Sequence, residues 1–238
     1  MKIVFAGTPA NAAQTLRALA NSAFEVVAVL TRPDAPIGRK KILTPSAVAE
    51  VSQELGIPTI KANRVDESVR EQLAATGADL GIIVAYGALL DQAALDVLPK
   101  GWINLHYSLL PKWRGAAPVQ RALMAGDRET GVTLFQLDKG MDTGPILAQT
   151  QTIIEPDEDA ASLLDRLTKL AITMLDEVLS LIDAGILEPI AQHGQFSMAP
   201  KITRDMARIN FSDSAEKIEN LIRGCNPEPG AWTLFSGD

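Results

Sequence analysis

Three polar side chains fall at alternate positions of one short stretch, Trp102-Ile103-Asn104-Leu105-His106-Tyr107-Ser108, and a carboxylate, Asp142, follows downstream. A β-strand sends successive side chains to opposite faces, so Asn104, His106 and Ser108 share one face while Ile103 and Leu105 take the other. Strands of a helix-covered parallel sheet read as continuous apolar runs, so an amide and an imidazole at a strand end need partners. Backbone groups can supply them in a purely structural role. Alternatively the pair lines a ligand site, since ligands of open α/β sheets gather outside the carboxyl ends of strands. An amide, an imidazole and a carboxylate, with no metal cluster and no activated Ser or Cys, suit transfer of an acyl-like group to an incoming amine. Asn104 and an imidazolium His106 can donate hydrogen bonds to a tetrahedral oxyanion, and one such donor is typically worth about 10² to 10³ in rate. Asp142 can hold His106 in its useful protonation state and relay protons. A Ser108-His106-Asp142 hydrolase is the formal rival, but G-x-S-x-G is lacking and Ser108 lies too near His106 in sequence for good attack geometry.

The elements that must carry these residues follow from periodicity. The stretch 2–6 reads as a strand, Gly7-Thr8-Pro9 as a turn, 11–20 as a helix burying Ala12, Leu16 and Leu19, and 24–31 as a second strand. This β-α-β start predicts an α/β, Rossmann-like, mostly parallel sheet with helices on both faces. Its first turn has neither G-x-G-x-x-G nor G-x-x-x-x-G-K-[ST], which sets aside dinucleotide and P-loop sites. The spacing further predicts a helix capped by Ser46, a strand at 56–60, a helix over 65–75 and a fully buried strand at 80–85. The Tyr86-Gly87-Ala88-Leu89-Leu90 stretch after it is either an apolar turn or one wall of a slot for a flat ring. Pro111 fixes the Ser108-Leu109-Leu110-Pro111 loop, and Pro118 opens a helix whose entry is rich in small residues. Strands at 131–137 and 146–154 flank the loop holding Asp138, Gly140 and Asp142, whose carboxylates are too few and too irregular for a calcium site. A long amphipathic helix is expected over 159–184. Asp213 is expected to cap a helix ending at Gly224, and 231–235 to form one more strand.

Whole-chain properties bound the function. The 238 residues are 47% hydrophobic and 21% charged, with net charge -7, so the chain is globular and does not as a whole advertise nucleic-acid binding. A local exception is the loop 32–45, where Arg32, Arg39, Lys40 and Lys41 face one aspartate; it is either a solvated surface loop or a phosphate-contacting arm. The apolar runs are too short for a membrane span or a signal-peptide core, and Cys225 alone forms no internal disulfide and no metal site. A cytoplasmic protein is expected.

Taken together, Asn104-Leu105-His106, Ser108-Leu109-Leu110-Pro111 and Asp142-Thr143-Gly144-Pro145 resemble the motifs of the folate-dependent formyltransferases. Arg114-Gly115-Ala116-Ala117-Pro118-Val119-Gln120-Arg121 is similar to the branch that formylates methionyl-tRNA, and with Phe5-Ala6-Gly7-Thr8-Pro9 the likeness spans essentially the whole chain. The resemblance implies that 10-formyltetrahydrofolate gives its formyl group to the α-amine of methionyl initiator tRNA for translation initiation, without a metal. It implies a catalytic trio of Asn104, His106 and Asp142. Ser108, Leu109, Leu110 and Pro111 would contact the folate, and the backbones of Tyr86, Gly87, Leu89, Asp138 and Gly140 would flank its pterin. Arg39, Lys40 and Lys41 match the family's inserted loop that reaches the acceptor stem.

The same likeness implies a catalytic domain over 1–185, a linker over 186–211 and, over 212–238, the beginning of a small C-terminal β-barrel domain that also serves tRNA binding. The sequence reads as stopping inside that domain, and a monomer is expected. The competing acceptor is an amino-sugar nucleotide. A glycinamide ribonucleotide enzyme is disfavoured because Gly7-Thr8-Pro9-Ala10 lacks a Gly-Gly phosphate loop, and Ala116-Ala117-Pro118 favours the tRNA branch. Hydrolysis of the formyl donor, or a folate- or tRNA-binding module without activity, is the remaining alternative. Tyr107 is larger than the residue many relatives place after the histidine.

Overall fold

The computed structural model describes residues 1–38 and 40–235, so Arg39, one of the three expected tRNA contacts, lies outside the described residues. The chain opens with β1 (Lys2–Gly7), α1 (Ala10–Ala20) and β2 (Glu25–Thr31), as the β-α-β pattern predicts. The loop at 32–45 contains a small antiparallel hairpin, β3 (Ala35–Ile37) and β4 (Ile42–Thr44). Then follow α2 (Ala47–Glu54), β5 (Thr59–Lys61), α3 (Glu67–Ala75), β6 (Leu80–Val84), α4 (Gln92–Leu95) and β7 (Trp102–His106). After these come α5 (Pro118–Ala125), β8 (Glu129–Gln136), β9 (Ile146–Ile153), α6 (Ala160–Ala184), a 3-10 turn at Asp205–Ala207 and α7 (Ala215–Cys225).

Seven strands form one sheet in the order β5-β2-β1-β6-β7-β8-β9. Adjacent pairs from β5 through β7 are parallel. The chain winds outward from β1 to β5, then returns to place β6 on the other side of β1, so the strand order reverses between β1 and β6. Such a switch point opens a crevice at the carboxyl ends of the two strands. All five residues of β6 are buried, matching its uninterrupted apolar sequence. Gly81 is there for space: a Cβ on it would run into the Trp102 ring.

The chain divides into two compact units, one of residues 1–105, 134–148 and 172–191, the other of 106–133, 149–171 and from 192 onward. In the first, an apolar cluster gathers Val4, Leu30, Leu73, Tyr86, Leu98 and Trp102 among others, with Ala88, Leu90 and Leu137 packed on it. In the second, α5 and α7 pack together, and Gly224 gives close approach to Met124 and the Gln120 carbonyl.

Several local expectations are corrected. The third strand begins at Thr59, later than 56–60 suggests, because Gly56 turns left-handed (φ 68) and ends the preceding helix. Helix α3 starts at Glu67 with Asp66 as its cap, its side chain accepting from the Val69 N–H at 3.2 Å. Ser214, and not Asp213, caps α7; Asp213 instead pairs with Lys217 at 2.8 Å, one turn on. The strand expected over 231–235 is only a single bridge, Trp232 to Arg208, among the described residues. A lone segment without a second paired strand cannot extend a ladder.

Candidate active site

Asn104 sits on β7 opposite Ile83 of β6 and is partly exposed between buried neighbours. His106 ends the strand and is 5% exposed, and Ser108 beyond it is buried. The His106 Nε2 lies 2.8 Å from the Trp113 carbonyl oxygen. A carbonyl only accepts, so Nε2 carries the proton of this bond, and Nδ1 holds the lone pair in the neutral ring. Trp113 itself has a left-handed backbone at φ 63, a conformation costing a bulky residue about 1 to 3 kcal/mol.

Polar clamps hold the segment after His106. The Thr133 hydroxyl donates to the Ser108 carbonyl at 2.6 Å and accepts the Leu110 N–H at 3.2 Å. Gln149 Nε2 donates both to that hydroxyl, at 2.9 Å, and to the Leu110 carbonyl, at 2.8 Å. The Ser108 hydroxyl gives its proton to the Lys112 carbonyl at 2.6 Å. That commitment removes it as a nucleophile for His106, against the Ser-His-Asp hydrolase. Leu110 is buried ahead of a cis bond to Pro111, while Leu109 and Pro111 keep partial exposure.

In the first unit Ala88 and Leu90 of one turn and Leu137 before another each pack against the same apolar core cluster. Tyr86 departs from the slot reading in one respect: its ring is buried and its hydroxyl donates to the Ala62 carbonyl at 2.8 Å. Burial raises the phenol pKa, with Arg32 pulling the other way, so the hydroxyl stays a donor. Gly87 (φ 85) turns the chain and Leu89 stands 81% exposed. The Leu137 N–H donates to the Trp102 carbonyl at 2.8 Å, and the following loop folds on Asp138, whose Oδ1 accepts from Gly140 N–H at 2.9 Å and Thr143 Oγ1 at 2.7 Å. Asp138 thereby shapes the loop through its side chain. Asp142, partly exposed, has a left-handed backbone at φ 53, an unusual conformation of the kind that clusters at functional sites.

Sequence reasoning passed over several residues that set this geometry. Thr8 donates to the Tyr86 carbonyl at 3.0 Å and so ties the ends of β1 and β6 at the switch point. Arg32, counted among the loop cations, donates to the carbonyls of Asn63 and Gly87 at 3.2 and 3.1 Å and is spent on the fold. The loop's aspartate, Asp34, pairs with Lys61 at 2.5 Å. Lys40 and Lys41 remain exposed, beside exposed Ile37, Ile42 and Leu43 of the hairpin. Thr133, Gln149 and Trp113 carried no local motif; their partners lie 7 to 84 positions away in sequence.

A buried strand-end imidazole whose Nε2–H is held, and a partly exposed amide two residues before it, are groups of the kind that serve acyl transfer. The chain belongs to the formyl transferase family, whose model matches residues 1–179 and whose C-terminal domain model matches 201–238. Methionyl-tRNA formyltransferase of Arthrobacter sp. (strain FB24) is 51% identical over 237 residues, a match covering 100% of this chain and 78% of the relative. Among solved structures, an N-formyltransferase from Helicobacter canadensis in complex with folinic acid and dTDP-3-aminofucose has TM-score 0.75 at 21% identity, covering 94% of this chain and 80% of that one. The methionyl-tRNA formyltransferase of Clostridium thermocellum has TM-score 0.68 at 17% identity, covering 99% and 88%. At such identities these two likenesses speak to the fold alone. Among the described residues no helix is long and apolar enough to cross a membrane.

Proposed function

We infer that this chain is a methionyl-tRNA formyltransferase, transferring a formyl group from a folate carrier to the α-amine of methionine on its initiator tRNA. The observation that carries the reading is 51% identity across 100% of the chain to a protein of that name, with Asn104, His106 and Asp142 all present. The donor is 10-formyltetrahydrofolate. A flat pterin suits the partly buried apolar groups Ala88, Leu90 and Leu137, with the backbones of Tyr86, Gly87, Leu89, Asp138 and Gly140 flanking it, while Ser108 to Pro111 form a second, rigid contact. The Leu110 N–H and the Ser108 and Leu110 carbonyls are already used internally, so that contact falls to Leu109 and Pro111.

In the reaction the amine nitrogen bonds to the formyl carbon, the carbonyl becomes an oxyanion, the bond to the folate nitrogen breaks, and a proton passes from the amine to that nitrogen. Asn104 donates its amide N–H to the oxyanion. His106, with Nε2–H directed at the Trp113 carbonyl, donates from Nδ1 when protonated, and Asp142 supports that charge. Lys40 and Lys41, exposed on the hairpin loop, supply phosphate contacts to the tRNA together with Arg39. Replacing Lys40 and Lys41 by Gln is expected to reduce the salt slope of tRNA binding by about one per charge; an unchanged slope would return the loop to a solvated surface. A cytoplasmic setting follows from this substrate. Residues 1–185 are read as catalytic, 186–211 as linker and 212–238 as belonging to the C-terminal domain, in keeping with family matches at 1–179 and 201–238.

The test supplies 10-formyltetrahydrofolate with methionyl-tRNA, with an amino-sugar nucleotide, or with no acceptor. Formyl transfer to the tRNA alone is expected. Transfer to the sugar instead would overturn the acceptor assignment, and formate release without any acceptor would make the chain a hydrolase.

A further inference from the structure

We infer that Asp127 is a positioning residue for His106, acting through Trp113. The inference rests on the reading of His106 as catalytic. The carbonyl that accepts from His106 Nε2 belongs to a tryptophan at φ 63, a backbone conformation that L side chains rarely adopt. Something must keep Trp113 there, and its neighbours show what. Its indole Nε1–H donates to Asp127 Oδ2 at 2.7 Å, and its backbone N–H donates to Ser197 Oγ at 2.9 Å. The same Asp127 oxygen pairs with Lys112 Nζ at 2.8 Å, and that ammonium lies 5.6 Å from the Trp113 ring centroid.

Asp127 is itself fixed. It follows Gly126, the left-handed C-cap of α5, and its N–H donates to the Ala122 carbonyl at 3.0 Å. The helix end therefore sets the carboxylate, the carboxylate sets the indole, and the indole sets the peptide whose oxygen faces His106. A charged acceptor makes the indole bond stronger than a neutral one would. If the indole is released, the Trp113 peptide can relax to the right-handed region and turn its oxygen away. The neutral ring then loses the acceptor that faces its Nε2–H. Asp127 touches no reacting atom in this scheme.

The experiment uses the chain with His193→Gln, which removes the other of the two histidines, an exposed one. Long-range 1H–15N spectra of labelled imidazole should show the neutral ring protonated at Nε2. Asp127→Ala and Trp113→Phe should each give mixed tautomers and lower kcat roughly 10- to 100-fold with KM changed less than about threefold, while Asp127→Asn, which keeps an acceptor, should recover most of both. The double variant should be no worse than either single one. A folded Asp127→Ala chain with unchanged tautomer pattern and kcat would overturn the inference; should that variant fail to fold, an unchanged tautomer pattern and kcat in Trp113→Phe would overturn it equally. Should the parent chain transfer no formyl group while its tautomer still responds to Asp127, the positioning role stands and the functional reading falls.

Discussion

The turn at 86–90 and the segment at 106–117 both carry expected site residues, yet they are held by different forces. In the first unit the turn packs its apolar residues on the sheet core, and its polar ties among the described residues include Thr8 and Arg32 to the carbonyls of Tyr86 and Gly87 and the Tyr86 hydroxyl to the Ala62 carbonyl. In the second unit the 106–117 segment is clamped by side chains reaching its backbone from remote positions, Thr133, Gln149 and Ser197. Apolar burial is non-directional and tolerates small shifts, whereas hydrogen bonds fix angle as well as distance. On the proposed function, a folate ring would be received on an apolar surface, whereas an imidazole that stabilises an oxyanion would have to be aimed.

Breaking the apolar side should cost most. Gly81→Val would drive a branched side chain into Trp102 at the centre of the first unit's core, and a loss of about 3 kcal/mol or more is expected from urea unfolding midpoints. A change below about 0.5 kcal/mol would mean that β6 and Trp102 can separate freely. Thr133→Val tests the polar side with little change of shape. It strands the Leu110 N–H and the Ser108 carbonyl, so about 1 to 3 kcal/mol should be lost, and transfer should slow as the segment after His106 loosens. Intact activity in that variant would show that the clamp does not aim the site.

Glu158→Gln should be smaller, about 1 kcal/mol, and sharpens the comparison through its pH dependence. Burial alone would raise the Glu158 pKa, but the forked hydrogen bonds of Arg166 (2.6 and 2.8 Å), the Glu155 N–H and the charges of Arg166 and Arg223 bring it below its ordinary value of about 4.5. A carboxyl depressed in the folded state contributes stability above its unfolded pKa and loses it as pH falls through the folded value. The gap between the parent chain and Glu158→Gln should therefore be full near neutrality and close in acid. A gap independent of pH would assign the effect to packing.

The same contrast decides what the sequence could reveal. The apolar run of β6, the β-α-β opening, the long helix α6 and the face shared by Asn104 and His106 are local patterns with periods of 2 or 3.6, and they were legible. The hairpin inside loop 32–45 was not, because two three-residue strands interrupted by charge carry little periodic signal. Nor was the use of Arg32 as a scaffold cation, or the anchoring of Trp113 by Asp127 and Ser197, the latter 84 positions away. Those contacts depend on tertiary proximity, which composition and spacing do not encode. The strand anticipated over 231–235 failed for the opposite reason: local β propensity met, among the described residues, by a single bridge from Trp232 to Arg208.

The central claim is that His106 performs chemistry and does not merely shape the fold. Single-turnover formyl transfer to methionyl-tRNA by His106→Ala, measured beside equilibrium folate binding, tests it most directly. Transfer should fall by at least about 10²-fold while folate affinity stays within several-fold of the parent chain. Undiminished transfer by the folded variant would contradict the account.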